Sequence, residues 1–280
     1  MRKIVYILGT NNCGSTIVNL VLNGHSKMLG LSEVLKIDEF VNRGDKNYYF
    51  EGLLKAEPFW ANVNTCYQKC CGRSLSKSGI TYPSWTEMMK DKGSFFKEWG
   101  QLNQTFFDCI SEQLPEENKE KQIFIDSSKI SKRLFLLKRS EMFNLKVIHL
   151  VRDGRGASNS FRKNYGSFNK GMFNWIKLNL GAFALKPMFK NEDWLEVRYE
   201  DFAQYPSDKM SRICSFIGVD YETEMLDFRN HFCIALGGNL VRFRQDKKIY
   251  LDERWKEELS TSERIKFNIV AGWLNKIYGY

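Results

Sequence analysis

The chain has 280 residues and carries 42 Lys and Arg against 33 Asp and Glu, a formal net charge of +9. With 43% hydrophobic residues and 5 prolines it can bury a large core, which excludes collagen-like, proline-rich and disordered classes. No apolar run approaches the roughly 20 residues of a membrane span. Segment 1–8 lacks the long apolar region and the small-residue cleavage site of a signal peptide, so we expect it to be a strand. We therefore expect a cytoplasmic protein, or one that has lost an upstream anchor. The positive charge favours an anionic partner, either a nucleic acid or an anionic cofactor or substrate.

Short apolar runs alternate with helical stretches along the chain. The runs predicted as strands span residues 3–8, 27–31, 122–125, 145–151 and 194–198. The stretches predicted as helices span residues 15–22, 132–142, 155–163, 209–217 and 263–278. Strands separated by helices predict a three-layer α/β fold with helices on both faces of a mostly parallel sheet. Ligands of such sheets bind at the carboxyl ends of the strands.

Residues 45–121 break this alternation and are rich in aromatic residues, Ser and Lys. We expect them to form an insertion over the ligand-binding edge, within a single domain that spans residues 1–280. A helical subdomain with its own aromatic core is the alternative.

The segment 255–280 is expected to be a docked C-terminal helix. Its apolar residues recur at helical spacing, which predicts a buried stripe and not a partner surface. The members of this stripe are Ile265, Ile269, Trp273, Leu274 and Ile277.

The seven cysteines are irregularly spaced, which predicts mostly reduced thiols and no disulfide framework. Cys66, Cys70 and Cys71 form a local cluster, but no fourth ligand at zinc spacing is evident. We therefore expect reduced or locally paired thiols there, and no bound metal.

A turn framed by two glycines follows the first predicted strand. Gly9 and Gly14 enclose four residues, and Ser15 and Thr16 open the next helix. Glycines let successive N–H groups turn inward, and a helix N-terminus adds donors and partial positive charge, which together bind phosphate. Nucleotide triphosphatases have a lysine where this chain has Ser15, so kinase or ATPase chemistry is disfavoured. A plain strand-to-helix turn is the alternative.

Residues 147–160 (VIHLVRDGRGASNS) indicate a second anion site. Arg152 directly follows a predicted buried strand, and Ser160 lies eight positions later, about two helical turns on. Arginine suits bidentate phosphate contacts, and a serine hydroxyl donates one hydrogen bond. Alternatively, Arg152 pairs with Asp153 or with a buried carboxylate.

Four motifs follow one another along the chain: NNCGST at 11–16, RDGRGASNS at 152–160, VRYED at 197–201 and GGNLVRF at 237–243. In these motifs and their order the chain resembles sulfotransferases that use 3′-phosphoadenosine 5′-phosphosulfate (PAPS), of the branch with carbohydrate, tyrosylprotein and many bacterial enzymes. The resemblance covers residues 3–33 and 123–280 and is weak between them. It implies in-line transfer of the sulfuryl group from PAPS to an acceptor hydroxyl, with release of 3′-phosphoadenosine 5′-phosphate (PAP).

The resemblance also implies a role for each matching position. The loop that would hold the 5′-phosphosulfate consists of Asn12, Cys13, Gly14, Ser15 and Thr16. Arg152 and Ser160 would bind the 3′-phosphate, and Tyr199 would line the nucleotide site. The C-terminal segment that closes over the cofactor would contribute Asn239, Arg242 and Arg254. A nucleotide with anionic groups at two positions requires two anion sites, and the sequence offers two.

Asn12 departs from the family pattern, which usually has Lys or Arg two residues before the second glycine of the loop. An amide brings no charge to the leaving phosphate, and the loss of a preorganised donor costs about 2.7–4 kcal/mol. Lys129, which follows a predicted strand, is expected to supply the missing charge. A solvated lysine at a helix start is the alternative.

Transfer to a hydroxyl requires a base on the acceptor O–H. Glu33 follows the second predicted strand, and the resemblance implies that it is this base, because a glutamate has that role in tyrosylprotein members of the family. A carboxylate that caps a helix is the alternative. Among the histidines, His231 is a minor alternative base. His25, after the first predicted helix, is expected to be a cap or a packing residue, and His149 lies inside a predicted buried strand.

Three other classes stay open on the sequence alone. A nucleotide kinase is disfavoured by Ser15, a non-catalytic nucleotide-binding protein is favoured only by Asn12, and a nucleic-acid binder lacks any recognisable motif. The expected partners are therefore PAPS and a hydroxyl-bearing acceptor, such as a carbohydrate, a phenol or tyrosine, or another small molecule. The insertion at 45–121 would bind this acceptor.

Overall fold

The computed structural model describes residues 1–42, 58–81, 94–235 and 248–280. These residues form a parallel sheet with the strands β1 (Arg2–Gly9), β2 (Met28–Ser32), β3 (Ile123–Lys129), β4 (Phe143–Val151) and β5 (Trp194–Arg198). The order across the sheet is β2-β3-β1-β4-β5. In this register, Ile4 of β1 lies beside Phe124 of β3 and Leu145 of β4.

Helices connect the strands and cover both faces of the sheet, which confirms the predicted α/β class. In chain order they are α1 (Ser15–Asn23), α2 (Ile37–Asn42), α3 (Pro58–Cys71), α4 (Ser94–Gln113), α5 (Ser131–Ser140), α6 (Gly154–Tyr165), α7 (Phe168–Leu185), α8 (Tyr199–Gln204), α9 (Pro206–Ile217), α10 (Trp255–Glu258) and α11 (Thr261–Ile277). Among the helices described, none combines the length and the apolarity needed to cross a membrane.

Alternation along β1 divides the core into two layers. Ile4, Tyr6 and Leu8 pack on one face with side chains of α3, α4, α5 and α7. Val5 and Ile7 pack on the other face with side chains of α1 and α9. Because both faces are buried, β1 is a nearly continuous apolar run in the sequence.

The described part of the aromatic-rich insertion extends the main core and does not form a separate one. Tyr67 of α3 and Phe107 of α4 are fully buried in the same cluster as side chains of β1 and β3. Phe107 stacks on Phe124 of β3 with ring centroids 5.3 Å apart. The helices of the insertion thus form one of the layers that cover the sheet.

A disulfide joins these two insertion helices. Cys66 of α3 is bonded to Cys109 of α4, 43 residues away. The expectation of reduced thiols is therefore wrong for this pair, because the partner lies outside the local cluster at 66–71. Cys70 and Cys71 are free thiols.

The prediction of a buried stripe on α11 is wrong. Leu274 is buried, but the other members are 51–77% exposed: Ile265, Ile269, Trp273 and Ile277. The residues that pack against the core recur at the same helical spacing on the opposite face: Phe267, Ala271 and Leu274. With two apolar faces on one helix, periodicity alone does not identify the buried one.

Candidate active site

The carboxyl ends of the strands bring the predicted site residues to one edge of the sheet. β1 is the central strand, so the turn at 10–14 lies between the ends of β3 and β4. Lys129 ends β3 and Arg152 directly follows β4. Glu33 follows β2 and Tyr199 follows β5. Parallel strands end at a common edge, so residues distant in the chain line up there in strand order.

The turn between β1 and α1 has the backbone of an anion-binding loop. Asn12 and Gly14 have positive φ angles of 62° and 93°. The turn is closed by a hydrogen bond of 3.3 Å from the Cys13 N–H to the Thr10 carbonyl. The N-cap residue of α1 is Gly14, which has no side chain to cap the helix, so the positive end of the helix dipole faces the turn.

Gly14 is required by its surroundings as well as by its φ angle. A Cβ at this position would lie 2.4 Å from the Tyr199 ring. The Tyr199 ring centroid lies 4.7 Å from the guanidinium carbon of Arg152, and its hydroxyl donates to the Tyr250 carbonyl at 2.8 Å. Tyr199 therefore packs between the loop and Arg152.

Several buried polar atoms at this edge have no hydrogen-bond partner in the described part of the chain. They are Oγ1 of Thr10, Nδ2 of Asn12 and Nε of Arg152. Buried polar groups in native proteins are almost always paired. All three atoms can donate a hydrogen bond, and Thr10 and Asn12 lie in the turn before α1, so the loop fits an oxygen-rich anion such as a phosphosulfate.

Arg152 is 5% exposed and joins the loop to the C-terminal segment. Its Nη1 donates to the Asn12 carbonyl at 2.8 Å and to Ser160 Oγ at 3.2 Å. Its Nη2 donates to the carbonyl and to a carboxylate oxygen of Asp252, at 2.9 and 3.1 Å. The structure therefore brings Arg152 and Ser160 together and pairs Arg152 with Asp252 rather than Asp153.

Asp252 is held between two guanidinium groups. Arg254 Nε donates to Asp252 Oδ1 at 2.7 Å, while Arg152 binds Oδ2. Burial acts to raise the pKa of this carboxyl, but the hydrogen bonds and charges of Arg254 and Arg152 outweigh it and hold the pKa well below its usual range. Two arginines that converge on one anionic group form a site that also fits a phosphate. Sequence reasoning identified both arginines and missed the carboxylate.

Glu33 and Lys129, the two predicted catalytic residues, are in direct contact. Glu33 Oε1 accepts a hydrogen bond from Lys129 Nζ at 2.5 Å, and Oε2 pairs with Lys36 Nζ at 2.5 Å. The Glu33 side chain caps no helix, although Glu33 precedes a short 3₁₀ turn. The Lys129 side chain is 13% exposed and belongs to a strand. The alternatives of a helix cap and of a solvated lysine are therefore wrong.

The charges of this cluster act on both Glu33 and the loop. Burial raises the pKa of the Glu33 carboxyl, but the ammonium groups of Lys129 and Lys36 outweigh it and set the pKa below the ordinary 4.5. Burial also raises the pKa of the Cys13 thiol, and the charge of Lys129 opposes that rise. In the sheet register Lys129 pairs with Leu8, one residue before Gly9, so its backbone lies beside the start of the loop.

The strand ends that hold this cluster have an unusual backbone. Ser32 at the end of β2 and Lys129 at the end of β3 have φ angles of 61° and 68°. Non-glycine residues in this region are strained, and such strain concentrates at functional sites. The backbone of Ser32 is held by Asn19 of α1, whose Oδ1 accepts a hydrogen bond from the Ser32 N–H at 3.3 Å.

The other predicted residues have varied outcomes. Asn239 and Arg242 lie outside the described residues. His25 and His149 are buried, and the ring of each contacts a neighbouring polar group, the Asp220 carbonyl at 2.9 Å and Asn179 Oδ1 at 3.2 Å. His149 therefore lies in a buried strand, as predicted, and the Nδ1 of His25, close after α1, accepts a hydrogen bond from the Lys27 N–H at 2.9 Å. Sequence reasoning missed Lys36, although its spacing of three residues from Glu33 is that of a helical ion pair.

The sequence model of a protein family described as "Sulfotransferase family" matches residues 5–223 of the chain. Among solved structures, the chain is similar to the sulfotransferase domain of the olefin synthase of Synechococcus PCC 7002, with a TM-score of 0.61, 17% identity, and coverage of 99% of this chain and 94% of that one. It is also similar to the sulfotransferase domain of the curacin biosynthetic pathway, with a TM-score of 0.54, 19% identity, and coverage of 96% and 92%. Because both sequence identities are below 25%, these two similarities establish the fold and not the function. No curated protein sequence matches the chain.

Proposed function

The chain belongs to the sulfotransferase family, and from this premise we propose that it transfers a sulfuryl group from PAPS to an acceptor hydroxyl. The observation that carries the proposal is the pair of anion-binding features at one edge of the sheet. One is the turn before α1, and the other is the pair of guanidinium groups around Asp252. PAPS carries anionic groups at the 5′ and 3′ positions of one ribose and therefore needs two such sites.

The buried polar atoms support this assignment of the two sites. Thr10, Asn12 and the N-terminus of α1 would hold the 5′-phosphosulfate, because Thr10 Oγ1 and Asn12 Nδ2 belong to the turn and lack hydrogen-bond partners among the described residues. Arg152, Ser160 and Arg254 would hold the 3′-phosphate. The Tyr199 ring, packed against both Gly14 and Arg152, would line the ribose between the two sites.

The cluster at the ends of β2 and β3 supplies the groups that act on the acceptor. When bound, PAPS supplies an activated sulfuryl group whose leaving group is the 5′-phosphate of PAP. The Glu33 carboxylate accepts the proton of the acceptor hydroxyl. The Lys129 ammonium, near the loop, stabilises the negative charge that develops on the leaving phosphate and supplies the charge that Asn12 lacks.

The order of the strands also indicates the side from which the acceptor approaches. Glu33 follows the edge strand β2, whereas Arg152 follows β4, and the phosphate loop of β1 lies between them. The acceptor therefore binds on the β2 side of the loop, opposite the 3′-phosphate. The insertion at 45–121 directly precedes β3. It would contribute side chains that bind the acceptor on this side of the loop.

Thermal unfolding with PAP, AMP and ATP, without added metal, tests the cofactor assignment. PAP is expected to raise the melting temperature more than AMP, which lacks the 3′-phosphate. A ligand at 100 times its Kd stabilises a protein by about 2.7 kcal/mol, a readable shift. Arg152→Ala should abolish the preference for PAP, and Arg212→Ala, on the exposed face of α9, should retain it. An equal response to PAP and AMP would refute the assignment.

Turnover distinguishes an enzyme from a nucleotide-binding protein. The measurement is transfer of labelled sulfate from PAPS to a panel of carbohydrate and phenolic acceptors. Transfer supports the proposal. Selective PAP binding without transfer to any acceptor or to water would instead favour the non-catalytic alternative that Asn12 suggests.

A further inference from the structure

A set of large apolar side chains is exposed on two neighbouring helices. On α11, Ile265, Ile269, Trp273 and Ile277 are 51–77% exposed; on α7, Phe173, Leu180 and Phe183 are 43–65% exposed. The two helices pack together through Trp175 and Phe267, whose ring centroids are 5.9 Å apart. We call the exposed faces of these two helices the α7–α11 surface. Exposed apolar patches of this kind mark contacts with another protein or with a membrane.

The charges on this surface are positive. α7 contains Lys170 and Lys177, both exposed, and no Asp or Glu. α11 exposes Lys266 and Lys276. Its single acidic residue, Glu263, caps the N-terminus of the helix and pairs with Arg162 at 2.9 Å. Neither helix therefore offers an exposed, unpaired carboxylate.

The lysines of α11 lie within its apolar face. At about 100° per residue, the exposed apolar residues at 265, 269, 273 and 277 span an arc about 120° wide. Lys266 and Lys276 both fall inside this arc, one near each end of the helix. The face therefore combines apolar side chains with cations and is not a simple apolar stripe.

This arrangement disfavours a second copy of the chain as the occupant. Antiparallel pairing of α11 about a two-fold axis that sets Ile269 against Trp273 also sets Ile265 against Ile277. The same axis sets Lys266 against Lys276, with no carboxylate of either helix available to the two ammonium groups. Parallel pairing sets each lysine against its own copy. Like charges opposed in an interface are destabilising.

We propose that the α7–α11 surface binds peripherally to an anionic lipid bilayer. The exposed Ile, Phe and Trp side chains enter the boundary between head groups and acyl chains, where amphipathic helices lie. The flexible lysine side chains keep their ammonium groups at the level of the lipid phosphates. The net charge of +9 adds attraction to the anionic surface at longer range. This inference does not depend on the proposed sulfuryl transfer.

Sedimentation with vesicles tests the proposal on the full-length chain. The protein should bind vesicles of equal parts phosphatidylcholine and phosphatidylglycerol, and not vesicles of pure phosphatidylcholine. Ile269→Glu or Trp273→Glu should lower binding on the order of tenfold, because each places a carboxylate in the bilayer interface. Lys266→Gln and Lys276→Gln should each weaken binding about fivefold and reduce its salt dependence.

The control substitutes an exposed aromatic residue outside the surface. Tyr205→Glu, at a position that is 53% exposed, should bind anionic vesicles like the wild type. All substituted positions are exposed, so the variants should keep the melting temperature of the wild type. Failure of the wild type to bind anionic vesicles would overturn the proposal. So would a concentration-dependent dimer that Ile269→Glu dissociates, since a second copy would then cover the surface.

Discussion

Arg152 already binds a carboxylate of its own chain where the proposed 3′-phosphate would lie. Asp252 accepts hydrogen bonds from both Arg152 and Arg254, the two arginines assigned to that phosphate. A carboxylate and a phosphate bind a guanidinium group through the same geometry. Asp252 therefore competes with the nucleotide for these donors, and it also keeps Arg152 from being a buried charge without a partner.

We predict that Asp252→Asn tightens PAP binding on the order of tenfold, since hydrogen bonds to charged groups contribute about 1.5–3 kcal/mol and the competing charge is removed. Isothermal titration with PAP measures the effect. Glu253→Gln is the matched control, because Glu253 pairs with Lys256 and not with either arginine. Weaker binding by Asp252→Asn would show that Asp252 positions the arginines and does not compete.

We predict that Glu33→Gln lowers kcat by about 10²- to 10⁴-fold and leaves PAP affinity unchanged, because the amide no longer accepts the acceptor proton. Lys129→Ala should likewise lower kcat and not PAP affinity. Rates in single turnover and titration with PAP separate the two effects. A Glu33→Gln variant with the wild-type rate would exclude Glu33 as the base.

The pH dependence of the rate tests the same residue. Lys129 and Lys36 hold the pKa of Glu33 below 4.5, so its carboxylate stays ionised at every higher pH. The rate should therefore show no acid limb between about pH 6 and pH 8, where an unperturbed histidine base would titrate. An acid limb near pH 6.5 would exclude Glu33 as the titrating base. It would not identify His231, whose ring lies beside Gly24 at the C-terminal end of α1, away from the loop.

The sequence allowed prediction of the position of those candidate residues that directly follow or end a strand. Glu33, Lys129 and Arg152 have this property, and the fold alone then brings them to one edge. Asp252 could not be found in this way, because it reaches Arg152 across 100 residues from a segment without strands. The contact depends on tertiary packing that no local pattern encodes.

At the scale of elements, errors arose where polar residues are buried or apolar residues are exposed. β5 has the predicted bounds, whereas β3 continues four residues beyond the predicted end, to Lys129. Its last residues include Asp126, which is fully buried and typical of a loop in sequence. Arg133 of α5 satisfies this carboxylate at 2.6 Å. α7 was not predicted, and its two internal glycines and several asparagines lower helix propensity.

Asp126 and Arg133 form a buried ion pair that links β3 to the helices above it. Both side chains are 0% exposed. Arg133 also donates to the Ile80 carbonyl at 2.9 Å and to Asn103 Oδ1 at 3.0 Å. The pair thus connects a strand, α4 and α5 with the described end of the insertion.

We predict that Asp126→Asn destabilises the fold by about 3–5 kcal/mol, because it leaves the Arg133 charge buried without a counterion. Urea denaturation followed by circular dichroism measures the loss. Asp108→Asn is the matched control, since it breaks the pair of Asp108 with Arg2, in which the Asp108 side chain is 43% exposed. That change should cost less than about 1 kcal/mol. Equal effects of the two substitutions would contradict the buried-charge explanation.

At the scale of the whole molecule, the strand order determines which residues meet. The sequence predicted a parallel sheet but not the order β2-β3-β1-β4-β5. That order places the loop of β1 between the cationic ends of its two neighbours, Lys129 on β3 and Arg152 on β4. Strand order depends on which crossover helices pack on which face, and periodicity within one segment carries no information about that.

Glu200 connects Tyr280 to the edge of the sheet that holds the candidate site. This carboxylate follows Tyr199 and accepts hydrogen bonds from the Asp153 N–H at 3.1 Å and from the Tyr280 hydroxyl. Burial raises its pKa, and these hydrogen bonds act in the opposite direction. Arg198 lies over the Tyr280 ring, 4.3 Å from its centroid. The ends of β4 and β5 are therefore joined to Tyr280 by one half-buried carboxylate.

We predict that Tyr280→Phe lowers stability by about 1.5–3 kcal/mol, the range for a hydrogen bond to a charged group, and weakens PAP binding, because the half-buried Glu200 next to Tyr199 loses a donor. Chemical denaturation and PAP titration measure the two losses. Tyr278→Phe is the matched control: its ring packs on His149 and Trp175, and the substitution keeps that ring. If Tyr280→Phe lost stability but kept full PAP affinity, the link through Glu200 would support the fold without positioning the nucleotide site.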